Sequence, residues 1–251
     1  IICIYSRPML YIAIIITAFL TSVLSGLVGM AGGAVLMAVL ITILPVSSAM
    51  ILHGATQAMA NGSRTLLLRE HLIWRLLPGY ALGAACAVGI ATWLVLVPDP
   101  GVVLIAIGVF PWAAQWSSRL KGLNITQPLT TVICGFVVTF AQLIAGAAGP
   151  ILDVFYINSG LGRQAIVANK ALTQTIGHLL RILYYGALIS LSSELPSWIF
   201  AASLGVAILG TRVGTMLLAK WNDADFEKLS RRIILTVATI CICRGVYVLT
   251  S

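Results

Sequence analysis

The sequence predicts an all-α polytopic membrane protein built from two inverted repeats of five helical segments (5+5), the second segment of each repeat being short or re-entrant. Three observations carry this expectation. The 251 residues are 60% hydrophobic and 9% charged, whereas a soluble domain has roughly 25% charged residues, and the mean hydropathy is +1.04. The apolar segments come as five, a polar stretch, and five more. Small-residue breaks recur at matching places, GMAGGA at 29–34 and AGAAGP at 145–150.

The first segment, 9–28, is long enough to cross a hydrocarbon core, which takes roughly 20 apolar residues as a helix. It lacks the short apolar region and small-residue cleavage site of a signal peptide, so it reads as a spanning helix. After the first break, 33–45 is too brief to span comfortably. Segments 48–68, 72–97 and 101–118 complete a first repeat over 1–118, and RLKGLNITQP at 119–128 is a cytoplasmic linker. The second repeat, 129–251, runs through 129–147, the short 150–159 after the second break, 164–190, 196–219 and 232–250. The third segments align without gaps. His53, Thr56, Gln57 and Arg64 fall on Lys170, Thr173, Gln174 and Arg181, and further on Gly79 and Gly83 correspond to Gly210 and Gly214.

Each unit makes an odd number of crossings, because a short helix with its partner contributes two or none. The repeats are therefore expected to be inverted, with both termini extracytoplasmic. Charge placement agrees with this. With the linker bearing Arg119 and Lys121 in the cytoplasm, Arg69, Arg75, Arg163 and the run at 220–232 share its side, while the opposite loops carry only Asp99 and Glu194; Arg7 is an exception. A formal charge of +8 thus needs no nucleic acid to explain it. The expected location is the plasma (inner) membrane. The five cysteines, Cys3, Cys86, Cys134, Cys241 and Cys243, lack zinc spacing and read as packing residues.

A break in a membrane helix survives only where protein or a water-lined cavity satisfies its backbone groups. Paired breaks in inverted repeats point to a transporter's binding site near the midplane. The helix after each break starts with free amides and a positive dipole end, at 33–36 and 150–153, and that geometry suits an anion, although Pro150 removes one amide from the second set; Gly32, Gly33 and Gly149 are the glycines expected to contact it. Small residues also let membrane helices pack closely; the matched pair favours a site. Neither a phosphate loop nor a dinucleotide fingerprint is present.

His53, Gln57, Asn61 and Arg64 are spaced to share one helical face, as are Lys170, Gln174, His178 and Arg181. Ionisable residues in spans face a bundle interior or cavity. Gln57, Asn61, Gln174 and His178 lie near helix centres, as pocket candidates. His53 and Lys170 lie nearer opposite ends, as guards of two entrances. Arg64 and Arg181 either pair with helix carbonyls or meet the substrate; for Arg64, close to the cytoplasmic boundary, snorkelling is the favoured alternative. Thr56 and Thr173 either donate to a ligand or bond their own backbone. Asp153, whose counterpart is Met37, either exchanges a proton with His178 or forms a salt bridge to Lys170. No metal site or cofactor is expected.

GLVGMAGGAVLM and LIAGAAGPILD, followed by HGATQAMANGSR and NKALTQTIGHLLR, resemble the sulfite exporter TauE/SafE family of membrane permeases over about residues 11–250. The resemblance implies transport of a small sulfur-containing anion: sulfite, thiosulfate, sulfoacetate or another sulfonate. The second break departs from the family's form, with alanines and Pro150 where glycine is common. The expected function is a secondary transporter working by alternating access, with proton coupling through Asp153 and His178. The alternative is an anion channel, or a permease for a non-sulfur solute. An intramembrane enzyme is disfavoured by the lack of an HExxH motif or evident triad. The expected partners are a small anion, the bilayer, no nucleic acid and, since the glycine faces suit packing between protomers as well as within one, a homo-oligomer.

Overall fold

The computed structural model describes residues 7–28, 31–116, 123–189, 195–218 and 223–251. Among them there are ten α-helices and no strand: α1 (Arg7–Val28), α2 (Ala31–Ile43), α3 (Val46–Leu67), α4 (Leu77–Trp93), α5 (Pro100–Trp116), α6 (Pro128–Ala145), α7 (Gly149–Tyr156), α8 (Arg163–Leu183), α9 (Ser197–Leu218) and α10 (Asp223–Thr250). Cys3, Gly29, Met30, Arg119, Lys121, Glu194 and Lys220 lie outside the described residues.

Local chemistry sets these boundaries. Pro45 is the N-cap of α3, and Pro78, Pro128 and Pro150 sit in the first turns of α4, α6 and α7, where a missing N–H costs nothing. The α6 helix stops at Gly146, which is left-handed (φ 73°) and returns its amide to the Gln142 carbonyl at 2.9 Å. Three helices depart from their expected extents. The α4 helix covers Leu77–Trp93 and not 72–97, since a 3-10 turn at Trp74–Leu76 precedes it and left-handed Val95 (φ 48°) follows its end. The α10 helix begins at Asp223 rather than near 232, because the polar run there ends the hydrophobic span but contains good helix formers. The α8 helix gives way to a π-helical turn over Tyr184–Leu188. There the Tyr184 hydroxyl donates to the carbonyls of Ala91 (3.0 Å) and Leu96 (2.8 Å), and that of Tyr185 to Leu143 (2.7 Å).

The helices α1, α6, α9 and α10, and α4 with the turn before it, are each long and apolar enough to cross a membrane. The short segments are short as expected. The α2 helix has 13 residues and α7 has 8, about 20 Å and 12 Å of helix against a hydrocarbon core of about 30 Å. The α3 and α8 helices have spanning length, with 22 and 21 residues, but carry the polar stripes that lower their hydropathy.

Four pairings organise the bundle: α1 with α9, α4 with α6, α5 with α10, and α3 with α8. Contacts along each pair fix its direction. In the α1–α9 pair, Tyr11 meets Trp198 edge-on at 5.3 Å near both N-termini and Gly210 lies against Phe19 and Ser22 further on, so the two run parallel. The α4–α6 pair is also parallel, with Gly79 against Thr131 and Gly83 against Val132 and Phe136. The α5–α10 pair is antiparallel, since Gly101 meets Leu249 and Gly108 meets Ala238. So is α3–α8, where Gly54 meets Ile182 and Gly62 meets Thr175. These glycine seams all lie within the chain.

The connection after α3 is tied down by Asn169 of α8. Its side-chain oxygen accepts from the Ile73 amide (3.0 Å) and its side-chain nitrogen donates to the His71 carbonyl (3.2 Å). This places the end of α3, the start of α4 and the start of α8 at one end of the bundle.

Candidate functional site

The two polar stripes meet where α3 crosses α8. Their centre is His53, fully buried at 0% exposure. Nη2 of Arg181 donates to Nδ1 of His53 over 2.6 Å. An arginine has no acceptor, so Nδ1 accepts and the proton of neutral His53 sits on Nε2. That nitrogen donates to the Gly33 carbonyl at 2.7 Å. One imidazole thus connects the first turn of α2, after the first break, to a cation on α8.

Arg181 completes the link to the second break. It is 0% exposed, and its Nη1 donates to the carbonyl of Gly146. Gly146 is required here twice over. Its φ of 73° is strained for any L side chain, and a Cβ would stand 2.7 Å from Sδ of Met37 and 2.9 Å from Nη1 of Arg181. Both breaks therefore converge on one guanidinium, directly through Gly146 and through His53 from Gly33.

The His178 ring stands edge-on to that of His53, with centroids 5.7 Å apart. Nδ1 of His178 and Nε of Arg181 are buried and hydrogen-bond to no described residue. Among the described residues no carboxylate pairs with Arg181. Gln57 lays its carboxamide against Gly33, with Oε1 3.0 Å from where a Cβ would be. Asn61 and Gln174 are buried on the same stripes, and the Asn61 side-chain nitrogen donates to the Gln57 carbonyl (3.1 Å). Gly32 is buried against the Thr21 carbonyl and Ser25, and Gly149 is buried at the start of α7.

Other expected site residues are placed differently. Thr56 and Thr173 spend their hydroxyls on their own helices, Thr56 on the Leu52 carbonyl (2.9 Å) and Thr173 on that of Asn169 (3.0 Å). Lys170 forms an ion pair with Asp153, the pair being 19% and 50% exposed. This is the second of the two readings of Asp153, and it leaves that carboxylate paired with Lys170 and not with His178. The pair lies away from the buried cluster, since Lys170 is about 16 Å before Arg181 along α8 at 1.5 Å per residue. Arg64 is half-buried in the last turn of α3.

Two contributors carry little signal in the sequence. Gly146 was visible only as one small residue in a row of them; its signal is a glycine closing an apolar helix. Gln142 is buried beside Gly177, whose Cβ would overlap its Oε1. Among the described residues no three His, Cys, Asp or Glu side chains gather as a metal site.

The buried cluster is thus a cation and two imidazoles held between two helix breaks, with donors and no acid. The model of one protein family, described as sulfite exporter TauE/SafE, matches residues 14–244, from early α1 to late α10. Comparisons with curated proteins and with solved structures found no match. A match over nearly the whole length, on a chain of apolar helices, makes this integral membrane protein a member of the sulfite exporter TauE/SafE family.

Proposed function

We propose that this chain is a secondary transporter for a small sulfur-containing anion such as sulfite, thiosulfate, sulfoacetate or another sulfonate, bound at the crossing of α3 and α8. The observation that carries the proposal is Arg181. A fully buried guanidinium with no described carboxylate partner is a costly arrangement unless something supplies the opposite charge. A bound anion does so. A sulfonate or sulfite, with several acceptor oxygens, suits the fork of a guanidinium, helped by the unspent donor on Arg181 and by His178.

Alternating access by two inverted repeats is part of the proposal, and the helix pairing supports it. With segments numbered within each half, the third helices pair antiparallel with each other, as do the fifth. The first helix of each half runs parallel to the fourth of the other. A two-fold axis perpendicular to the helices produces this pattern. Inner-membrane orientation with both termini outside is supported by exposed Arg69, Arg75 and Arg163, which lie where α3 ends and α4 and α8 begin, and by exposed Arg231 and Arg232 in the N-terminal half of α10. Proton coupling is assigned to half-exposed Asp153, which can exchange with water, and to His178 within.

The deciding experiment is flux into proteoliposomes from a panel of sulfite, thiosulfate, sulfoacetate, taurine and sulfate, for wild type and Arg181→Gln. Saturable counterflow of a labelled sulfur anion, lost in the variant, is expected. Response only to a cation or neutral solute overturns the substrate class, and conductance far above carrier turnover replaces the carrier by a channel.

A further inference from the structure

A second site lies at the end of the bundle where α2 and α10 finish and α5 begins. A cavity of about 270 Å³ opens there, walled by apolar side chains that include Ile41, Leu44, Leu104 and Val248. Among the described residues, Arg244 of α10 is the one charged residue lining it. It is exposed, has no ion-pair partner among the described residues, and holds its guanidinium 5.7 Å from the Tyr247 ring.

Depth and wall chemistry decide what fits. Arg244 is less than two turns from Thr250, the last residue of α10, a depth of about 9 Å, and its neighbour Gly245 touches Gly101 in the first turn of α5. An arginine and a tyrosine at this level are typical of the headgroup boundary, where the long side chain reaches toward phosphate. A small hydrated anion would lose its water to a wall that returns almost nothing. Pro45 and Pro100 have no N–H, and the Thr42 hydroxyl is spent on the Val39 carbonyl at 2.7 Å. A molecule with one anionic group and an apolar tail fits both parts.

We propose that this cavity binds an anionic phospholipid, its phosphodiester on Arg244 and the upper part of an acyl chain against Leu44 and Leu104. A zwitterionic lipid is disfavoured because its own ammonium already neutralises the phosphate. The lipid steadies the C-terminal end of α2, the same short helix whose first turn carries Gly33 at the buried cluster. The site is independent of which solute is transported.

The test is native mass spectrometry and thermal unfolding of the detergent-purified full chain with phosphatidylglycerol, phosphatidylcholine or inorganic phosphate added. Phosphatidylglycerol is expected to be retained at least tenfold better than phosphatidylcholine. That preference should vanish in Arg244→Gln, whose exposed side chain leaves folding intact. Leu104→Trp, which fills the cavity with Arg244 in place, should reduce retention as well. Equal retention of the two lipids, or unchanged preference in Arg244→Gln, overturns the proposal. Stabilisation by phosphate alone to the same extent makes this a small-anion site and overturns it equally.

Discussion

Arg181 donates to Nδ1 of His53 over 2.6 Å across the crossing of α3 and α8, so a cation of the second half of the chain is held by an imidazole of the first. The same imidazole grips the Gly33 carbonyl and the same guanidinium grips that of Gly146. Movement at either helix break must therefore disturb this bond.

Replacing Arg181 tests whether its charge is the anion's partner. Arg181→Gln removes the charge, and truncating one member of a buried charge pair typically costs about 2 kcal/mol or more, roughly thirtyfold in Kd. Arg181→Lys keeps the charge but loses the fork, so an intermediate loss is expected. Anion-dependent thermal stabilisation reads both. A well-folded Arg181→Gln that is stabilised by sulfur anions as strongly as wild type would end the assignment.

Two left-handed glycines separate local strain from tertiary contact. Gly146 and Gly160 have nearly the same φ, 73° and 67°, but a Cβ on Gly160 meets nothing within 4 Å while one on Gly146 strikes Met37 and Arg181. Gly160→Ala should cost only the left-handed penalty, about 1 to 2 kcal/mol. Gly146→Ala should cost clearly more and also weaken anion response, since it displaces the guanidinium. Equal melting temperatures for the two variants would show that the Gly146 contact is unimportant.

Much of this site could be read from spacing alone. The periodicity of His53, Gln57, Asn61 and Arg64, and of their counterparts on α8, places each set on one face, and such faces turn inward in an apolar chain. What spacing cannot give is which members meet. His53 was expected as a guard near one end of its helix, yet the crossing brings it against Arg181, a contact between residues far apart in sequence. The hydroxyls of Thr56 and Thr173 had two possible uses, and only packed coordinates show them spent on their own helices. The π-helical turn after Leu183 depends on carbonyls of α4, α6 and the loop at Leu96, so nothing local announces it. Helix ends were legible to within a few residues where proline or glycine punctuates them, and least so at α10, where polarity ended the membrane span but not the helix.

The Asp153–Lys170 pair decides between a structural and a coupling role. It is partly exposed, so its contribution to stability should be small, within about 1 kcal/mol in a double-mutant cycle. If Asp153 carries the coupled proton, Asp153→Asn should abolish flux driven by a pH gradient while leaving counterflow of labelled anion intact. Unchanged pH-driven flux removes Asp153 from the mechanism and leaves the pair as a structural contact.

The α4–α6 seam supplies a last prediction, about what stays rigid if the two halves rock. A Cβ on Gly83 would overlap the Val132 carbonyl and stand 2.7 Å from the Phe136 amide nitrogen. Both are backbone atoms, which cannot swing aside as a side chain would, so the helices themselves must part. Gly83→Ala should therefore cost about 1 to 3 kcal/mol, the usual penalty of overpacking. Gly89, six residues further along α4 and exposed, meets nothing within 4 Å, and Gly89→Ala should instead gain roughly 0.5 to 1 kcal/mol from helix propensity. Thermal unfolding in one detergent compares the two. If α4 and α6 move as one body, flux per folded molecule should survive Gly83→Ala even as the melting temperature falls. Flux lost out of proportion to folded protein would mean that the seam itself slides during transport.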